Sequence, residues 1–184
     1  LYALKSVLFS FRNKRHVILL SDNGVGVTQL ARWISQYFDK IHASGYFFTC
    51  NEETKCSDLF GKQIILETIN SNNEYIKWKS GFLTKAIKKG RVAVLDNISE
   101  VTEKVTKRLK CLLDQKYDDK VKYFDVPENP KKPQVEINEN FRLLCTCKNN
   151  EISKMSQSFI NRFDVIVLDN QLKNITPTNL KKLI

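Results

Sequence analysis

The octapeptide Ser21-Asp22-Asn23-Gly24-Val25-Gly26-Val27-Thr28 joins a run of apolar residues to an amphipathic stretch. Loops that cradle phosphates follow the pattern G-x-x-x-x-G-K-[ST] between a strand and a helix. Their backbone amides close round the anion, the lysine bonds its oxygens and the hydroxyl holds a magnesium ion. Gly26 and Thr28 fit that pattern, whereas Ser21 stands for the first glycine and Val27 for the lysine. Glycine loops are common, so the octapeptide alone says little. Further on, Val92-Ala93-Val94-Leu95-Asp96 ends a second apolar run on a carboxylate. An aspartate at a strand end is usually a turn or cap residue. Paired with a loop hydroxyl, it supplies the other half of a magnesium site. Thr28 and Asp96 are therefore the candidate metal ligands, and Asn23, Gly24, Val25, Gly26, Val27, Thr28 and Gln29 the candidate nucleotide contacts.

The elements that must position these groups can be read from the spacing of apolar residues. Positions 1, 4, 7, 8 and 11 are apolar at helical spacing, and residues 16–20 read as a buried strand. A helix is expected over 27–39, with Leu30, Ile34, Tyr37 and Phe38 on its inner face. Short strands are expected at 45–50, 92–95, 141–146 and 165–168. Helices are expected at 81–87, stopped by Gly90, and from 103 to 115. Residues 62–80 read as mixed, with the polar break Asn70-Ser71-Asn72-Asn73 between two apolar pieces. Residues 117–139 carry Pro127, Pro130 and Pro133 between two strand-like pieces, 122–126 and 134–137, which predicts a protruding hairpin with a loose tip. The strands are apolar at every position rather than every second one. Strands read that way when helices cover both faces, so an α/β fold with a parallel sheet is expected.

At 184 residues the chain suits one domain, and because it opens at Leu1 it is expected to be part of a longer protein. No apolar run approaches the roughly 18 residues that span a bilayer, and no signal segment opens it. A soluble, intracellular location with no membrane partner is expected. The net charge is +10, from 30 Lys and Arg against 20 Asp and Glu. That favours phosphate-rich partners, although lysines also simply solvate helix faces. The five cysteines, at 50, 56, 111, 145 and 147, form no CxxC pair, and His16 and His42 have no ligand-like spacing. Reduced, mostly buried thiols are expected, with no zinc site.

The motifs taken together resemble an AAA+ module of the midasin and dynein-related type, with MoxR-like and McrB-like ATPases as cousins. "NEETKCSDLFGKQ" is similar to N-x-x-T-x-x-S-D-L-x-G, and "IKWKSGFLTKAIKKGRVAVLDNIS" to W-x-x-G-x-L-x-x-A-h-x-x-G-x-h-h-h-L-D-E-I-N. "NFRLLCTCKNN" resembles N-F-R-L-h-A-T-h-N-P, and "MSQSFINRFDVIVL" resembles L-S-x-A-h-R-N-R-F-x-x-h-h-h. The resemblance implies a P-loop NTPase core over residues 1–170: a parallel sheet sandwiched by helices. A small helical lid domain would begin at 171–184 and be cut short. It also implies ATP with Mg²⁺, neighbouring AAA+ modules in a hexameric ring within the same long chain, and remodelling of large ribosomal subunit precursors in the nucleus or nucleolus.

Residue by residue, the resemblance is incomplete. An ammonium on phosphate makes hydrogen bonds worth about 1.5–3 kcal/mol each, so Val27 is expected to weaken ATP by roughly 10- to 100-fold. Asn97 follows Asp96 where the family carries glutamate, and an amide cannot take a proton from the attacking water. Lys148 aligns with the family's sensor asparagine, and Asn149 stands one place late. Arg162, in "NRF", aligns with the arginine finger that reaches a neighbour's nucleotide, while Ile160 replaces the arginine two places earlier. Asp96, Asn97 and Arg162 are thus the candidate catalytic residues, and Lys148 and Asn149 further nucleotide contacts. Three readings follow: a degenerate ring module; a working ATPase in which Lys14 or Lys148 stands in for the lost lysine; or a basic scaffold that touches RNA or a pre-ribosomal particle through the hairpin at 117–139.

Overall fold

A computed structural model of the chain describes residues 2–39, 46–65, 76–114, 122–129 and 131–168. The expected beginning of a lid at 171–184 lies outside them. The elements run α1 (Tyr2–Arg12), β1 (His16–Ser21), α2 (Val27–Asp39), β2 (Phe47–Thr49), α3 (Cys56–Phe60), β3 (Gly61–Ile65) and β4 (Ile76–Ser80). They continue with α4 (Phe82–Lys89), β5 (Val92–Asp96), α5 (Glu103–Leu113), β6 (Lys122–Asp125), β7 (Gln134–Ile137), β8 (Arg142–Lys148), α6 (Gln157–Ile160) and β9 (Phe163–Leu168). Five strands make one parallel sheet in the order β2-β5-β8-β1-β9.

Alternation along each central strand divides the core in two. Val17 and Leu19 of β1, Val92 and Val94 of β5 and Leu144 of β8 bury against α1 and α2. Ile18, Leu20, Ala93, Leu95, Leu143 and Cys145 face α3, α4, α5 and the β6–β7 hairpin. This three-layer sandwich is why the strands are continuously apolar. The edge strand β9 departs from that rule, because Val165 and Val167 are exposed while Ile166 and Leu168 are buried. On α2 the inner face is Leu30, Ala31, Ile34 and Ser35, and Tyr37 instead stacks outside on Trp33.

Gly90 ends α4 in the left-handed region, φ 62°, where its N–H meets the carbonyls of Ala86 and Ile87. The stretch that read as mixed contains an antiparallel ribbon, β3 with β4. The expected hairpin forms from β6 and β7. It is seated on the core rather than projecting from it: Phe124, Val126 and Val135 are buried, and Phe124 packs on Phe60 with ring centroids 5.1 Å apart. Among the described residues no helix is long and apolar enough to cross a membrane.

Candidate functional site

Three adjacent central strands, β5, β8 and β1, end on the same side of the molecule, at Asp96, Lys148 and Ser21. Ser21 opens the octapeptide and is paired in register with Lys148. Gly24 and Gly26 take φ of +79° and +86°, conformations that side chains other than glycine's rarely adopt. No atom lies within 4 Å of where a Cβ would stand on either glycine, so the loop leaves open space above its backbone. Val25 is buried, anchoring the loop, and Asn23, Gly24 and Gly26 are exposed. Thr28 and Gln29 lie in the first turn of α2, and Val27, the residue in the lysine position, packs partly against the core beneath.

Thr28 and Asp96, 68 residues apart in the chain, meet directly: Thr28 Oγ1 donates to Asp96 Oδ1 at 3.0 Å. The same oxygen accepts from Thr146 Oγ1 at 2.7 Å, and Thr146 in turn accepts the backbone N–H of Asn97 at 3.0 Å. Asp96 is 4% exposed, so its carboxylate is held in place by two hydroxyls. Thr146 went unremarked in the sequence. Its signal was the lone hydroxyl of a strand, Arg142–Lys148, whose interior is otherwise apolar. Asn97 is forced to φ 58°, ψ 51°, left-handed, as it leaves β5.

Beyond β8 the chain divides the two sensor candidates. Asn149 Nδ2 donates to Asp22 Oδ1 of the loop at 2.8 Å. Lys148 Nζ lies 3.4 Å from Glu151 Oε1. Glu151 also accepts from Ser99 Oγ at 2.7 Å and has Lys154 at 3.7 Å. The Ser99 hydroxyl and these ammonium groups hold its carboxyl below the ordinary range.

The other candidates sit at the opposite end of the sheet. Lys14 pairs with Glu139 at 3.2 Å just before β1, a strand length of roughly 17 Å from the loop. It cannot stand in for the missing lysine. Arg162 precedes β9, whose first residue is in register with His16 at that same end. Its guanidinium grips Asp114 of the α5 terminus through Nε at 2.5 Å and Nη2 at 2.7 Å, and also donates to the Ser158 carbonyl. The structure therefore brings Thr28, Asp96, Asn97, Asn149 and Lys148 to one end, and keeps Arg162 away from them.

Burial and the Asp96 carboxylate push the Cys50 thiol up to about 12, and burial raises the Cys145 thiol well above its ordinary value. His16 Nδ1 accepts the Leu143 N–H at 3.0 Å; burial, helped by Arg142, lowers its pKa to about 3. A cleft of about 730 Å³ opens between α3 and α5, and no residue of the Ser21–Thr28 loop lines it.

Residues 16–163 match the family of AAA domains of the dynein-related subfamily. No curated protein sequence matches the chain. A candidate ATPase from Cytophaga hutchinsonii superposes with a TM-score of 0.57 at 15% identity, covering 99% of this chain and 48% of that one. NtrX from Brucella abortus superposes at 0.55 with 17% identity, over 91% of this chain and 37% of its own. Its complex with ATP superposes equally well, at 0.55 and 16% identity, over 91% and 35%. The chain spans less than half the length of these structures, and at such identity the likeness is one of fold.

Proposed function

The chain belongs to the dynein-related subfamily of AAA domains, and from that premise we propose that it is an AAA+ ATPase-type module whose own pocket binds nucleotide weakly and hydrolyses it poorly. One observation carries the reading: Thr28 and Asp96 are joined at 3.0 Å beneath an open glycine loop, while Val27 occupies the lysine position. The residues fit ATP with Mg²⁺. Amides around Gly24 and Gly26 would take the phosphates, and Thr28 and Asp96 would hold the ion, which when bound offsets charge on the phosphate oxygens. Asn149 is placed beside the loop by Asp22 and would be the sensor. Asn97 has no carboxylate to accept the water's proton. NtrX, which shares this fold, has been solved in complex with ATP, and that supports a nucleotide-binding reading.

Arg162 lies at the far end of the sheet and would serve a neighbouring module's pocket, which supports a place in a ring. By resemblance to midasin, the ring would remodel large ribosomal subunit precursors in the nucleus.

Calorimetric titration of the chain with ATP and Mg²⁺ tests the reading, together with single-turnover hydrolysis. Binding is expected to be weak, to tighten about 10- to 100-fold in Val27→Lys, and to be followed by no appreciable turnover. Turnover at the rate of an intact family member, abolished by Asp96→Ala, would overturn it.

A further inference from the structure

With Val27 in the lysine position the phosphate loop has no cation of its own, and Asp22 adds a carboxylate beside it. Whatever affinity the pocket keeps needs positive charge from elsewhere. Among the described residues, Lys14 and Arg15 are tied to Glu139 and Asp164 at the opposite end of β1, and Lys154, 3.7 Å from Glu151 and 3.8 Å from Glu100, lies past the end of β8 with no strand register to place it at the loop.

Lys148 is placed differently. Its Cα is the register partner of Ser21, the loop's first residue, on the strand directly beside β1. Side chains alternate along a strand, so Lys148 leaves β8 on the face that carries Thr146, and Thr146 Oγ1 touches Asp96. Two residues further on, roughly 7 Å along the strand, Lys148 projects over the end of the sheet where phosphates would lie. Asn149 ties the next residue to Asp22 and fixes this segment against the loop.

The contact with Glu151 is loose. At 3.4 Å it exceeds ordinary hydrogen-bond length, and the lysine side chain is 44% exposed. Glu151 keeps Ser99 Oγ and Lys154 if Lys148 leaves, so no buried carboxylate is stranded.

We infer that Lys148 is a relocated phosphate-binding cation: it turns from Glu151 to an oxygen of a bound nucleotide's phosphates and takes over, from the neighbouring strand, the task of the lysine that Val27 replaced. The inference rests on the nucleotide-binding reading and names the residue that sustains it. Lys148 offers charge but no proton acceptor, so it restores binding without restoring hydrolysis.

The test is the ATP·Mg²⁺ affinity of the chain at low salt, compared with Lys148→Met, Lys148→Arg, Val27→Lys and the double variant Val27→Lys/Lys148→Met. Melting temperatures confirm that each is folded. Lys148→Met should weaken ATP at least 10-fold, Lys148→Arg should keep most of the affinity, and Val27→Lys should rescue the Lys148→Met loss. Unchanged affinity in Lys148→Met, or no rescue in the double variant, would overturn the inference and leave the module reading standing. So would ATP binding by Val27→Lys alone with none by the natural chain. Absence of ATP binding in both the natural chain and Val27→Lys would sink the module reading and the inference together.

Discussion

At the residue after Asp96, backbone geometry and chemistry pull against each other. Asn97 sits at φ 58°, ψ 51°, and its N–H is spent on Thr146 Oγ1. Left-handed backbone costs most L-residues about 1–2 kcal/mol, with asparagine among the few that visit it readily. Asparagine therefore suits the turn that leaves β5, even though its amide is useless as a base. Replacing Asn97 by glutamate, the residue the resemblance leads one to expect, should lower unfolding free energy by about 1 kcal/mol. Asn97→Gly should be nearly neutral, because glycine accepts the same φ freely. Urea denaturation of the three proteins decides it; a glutamate variant as stable as the natural one would mean the turn imposes no such preference.

Elements differ in how much packing slack they leave round their glycines. The junction of α3, β3 and β4 has none. A Cβ on Gly81 would stand 2.4 Å from the Leu59 carbonyl oxygen and 2.6 Å from the Gly61 nitrogen, both backbone atoms that cannot swing aside. Gly81→Ala should therefore cost about 1–3 kcal/mol, as overpacking does, and loosen the β3–β4 ribbon. Hydrogen exchange would register that as faster opening of the Gly81 N–H bonded to the Phe60 carbonyl. An alanine variant as stable and as protected as the natural protein would refute the close approach. The sequence shows this ribbon only as two apolar pieces either side of a polar break, without a strand period, and for a physical reason. Lys62, Gln63, Ile65, Ile76, Lys77 and Lys79 are all exposed, so neither face is dry enough to impose a period of two. The central strands were legible for the opposite reason, since helices on both sides demand apolar residues throughout. β9 misled in one respect, for Val165 and Val167 look buried in the sequence and face outward. Strand order could not be read at all, because β8 enters between β5 and β1 from more than 40 positions downstream of β5.

At the scale of the molecule, the two sets of candidate site residues lie at opposite ends of one sheet. Thr28, Asp96 and Asn149 gather where the strands finish, and Arg162 stands where β9 begins. The linear sequence held both sets of residues but not their separation, because only the parallel register of β9 on β1 fixes which end each occupies. Roughly 17 Å of strand divides them, so Arg162 cannot touch a nucleotide bound to its own loop without dismantling the sheet. Within the chain it ties the α5 terminus to the end of α6 through Asp114. Both partners are partly exposed, and such pairs are worth at most about 1 kcal/mol. Arg162→Ala should then barely alter the melting temperature or the chain's own ATP affinity. If the ring proposal holds, the same substitution in the assembled protein should slow turnover at the adjacent module's pocket by about 10³-fold or more, the effect of withdrawing a finger. Measuring both quantities on one variant separates a structural tie from a finger. A large loss of stability with no change in neighbouring turnover would reduce Arg162 to a strut. The split result requires a second module, since nothing within a single sheet offers this guanidinium a phosphate to meet.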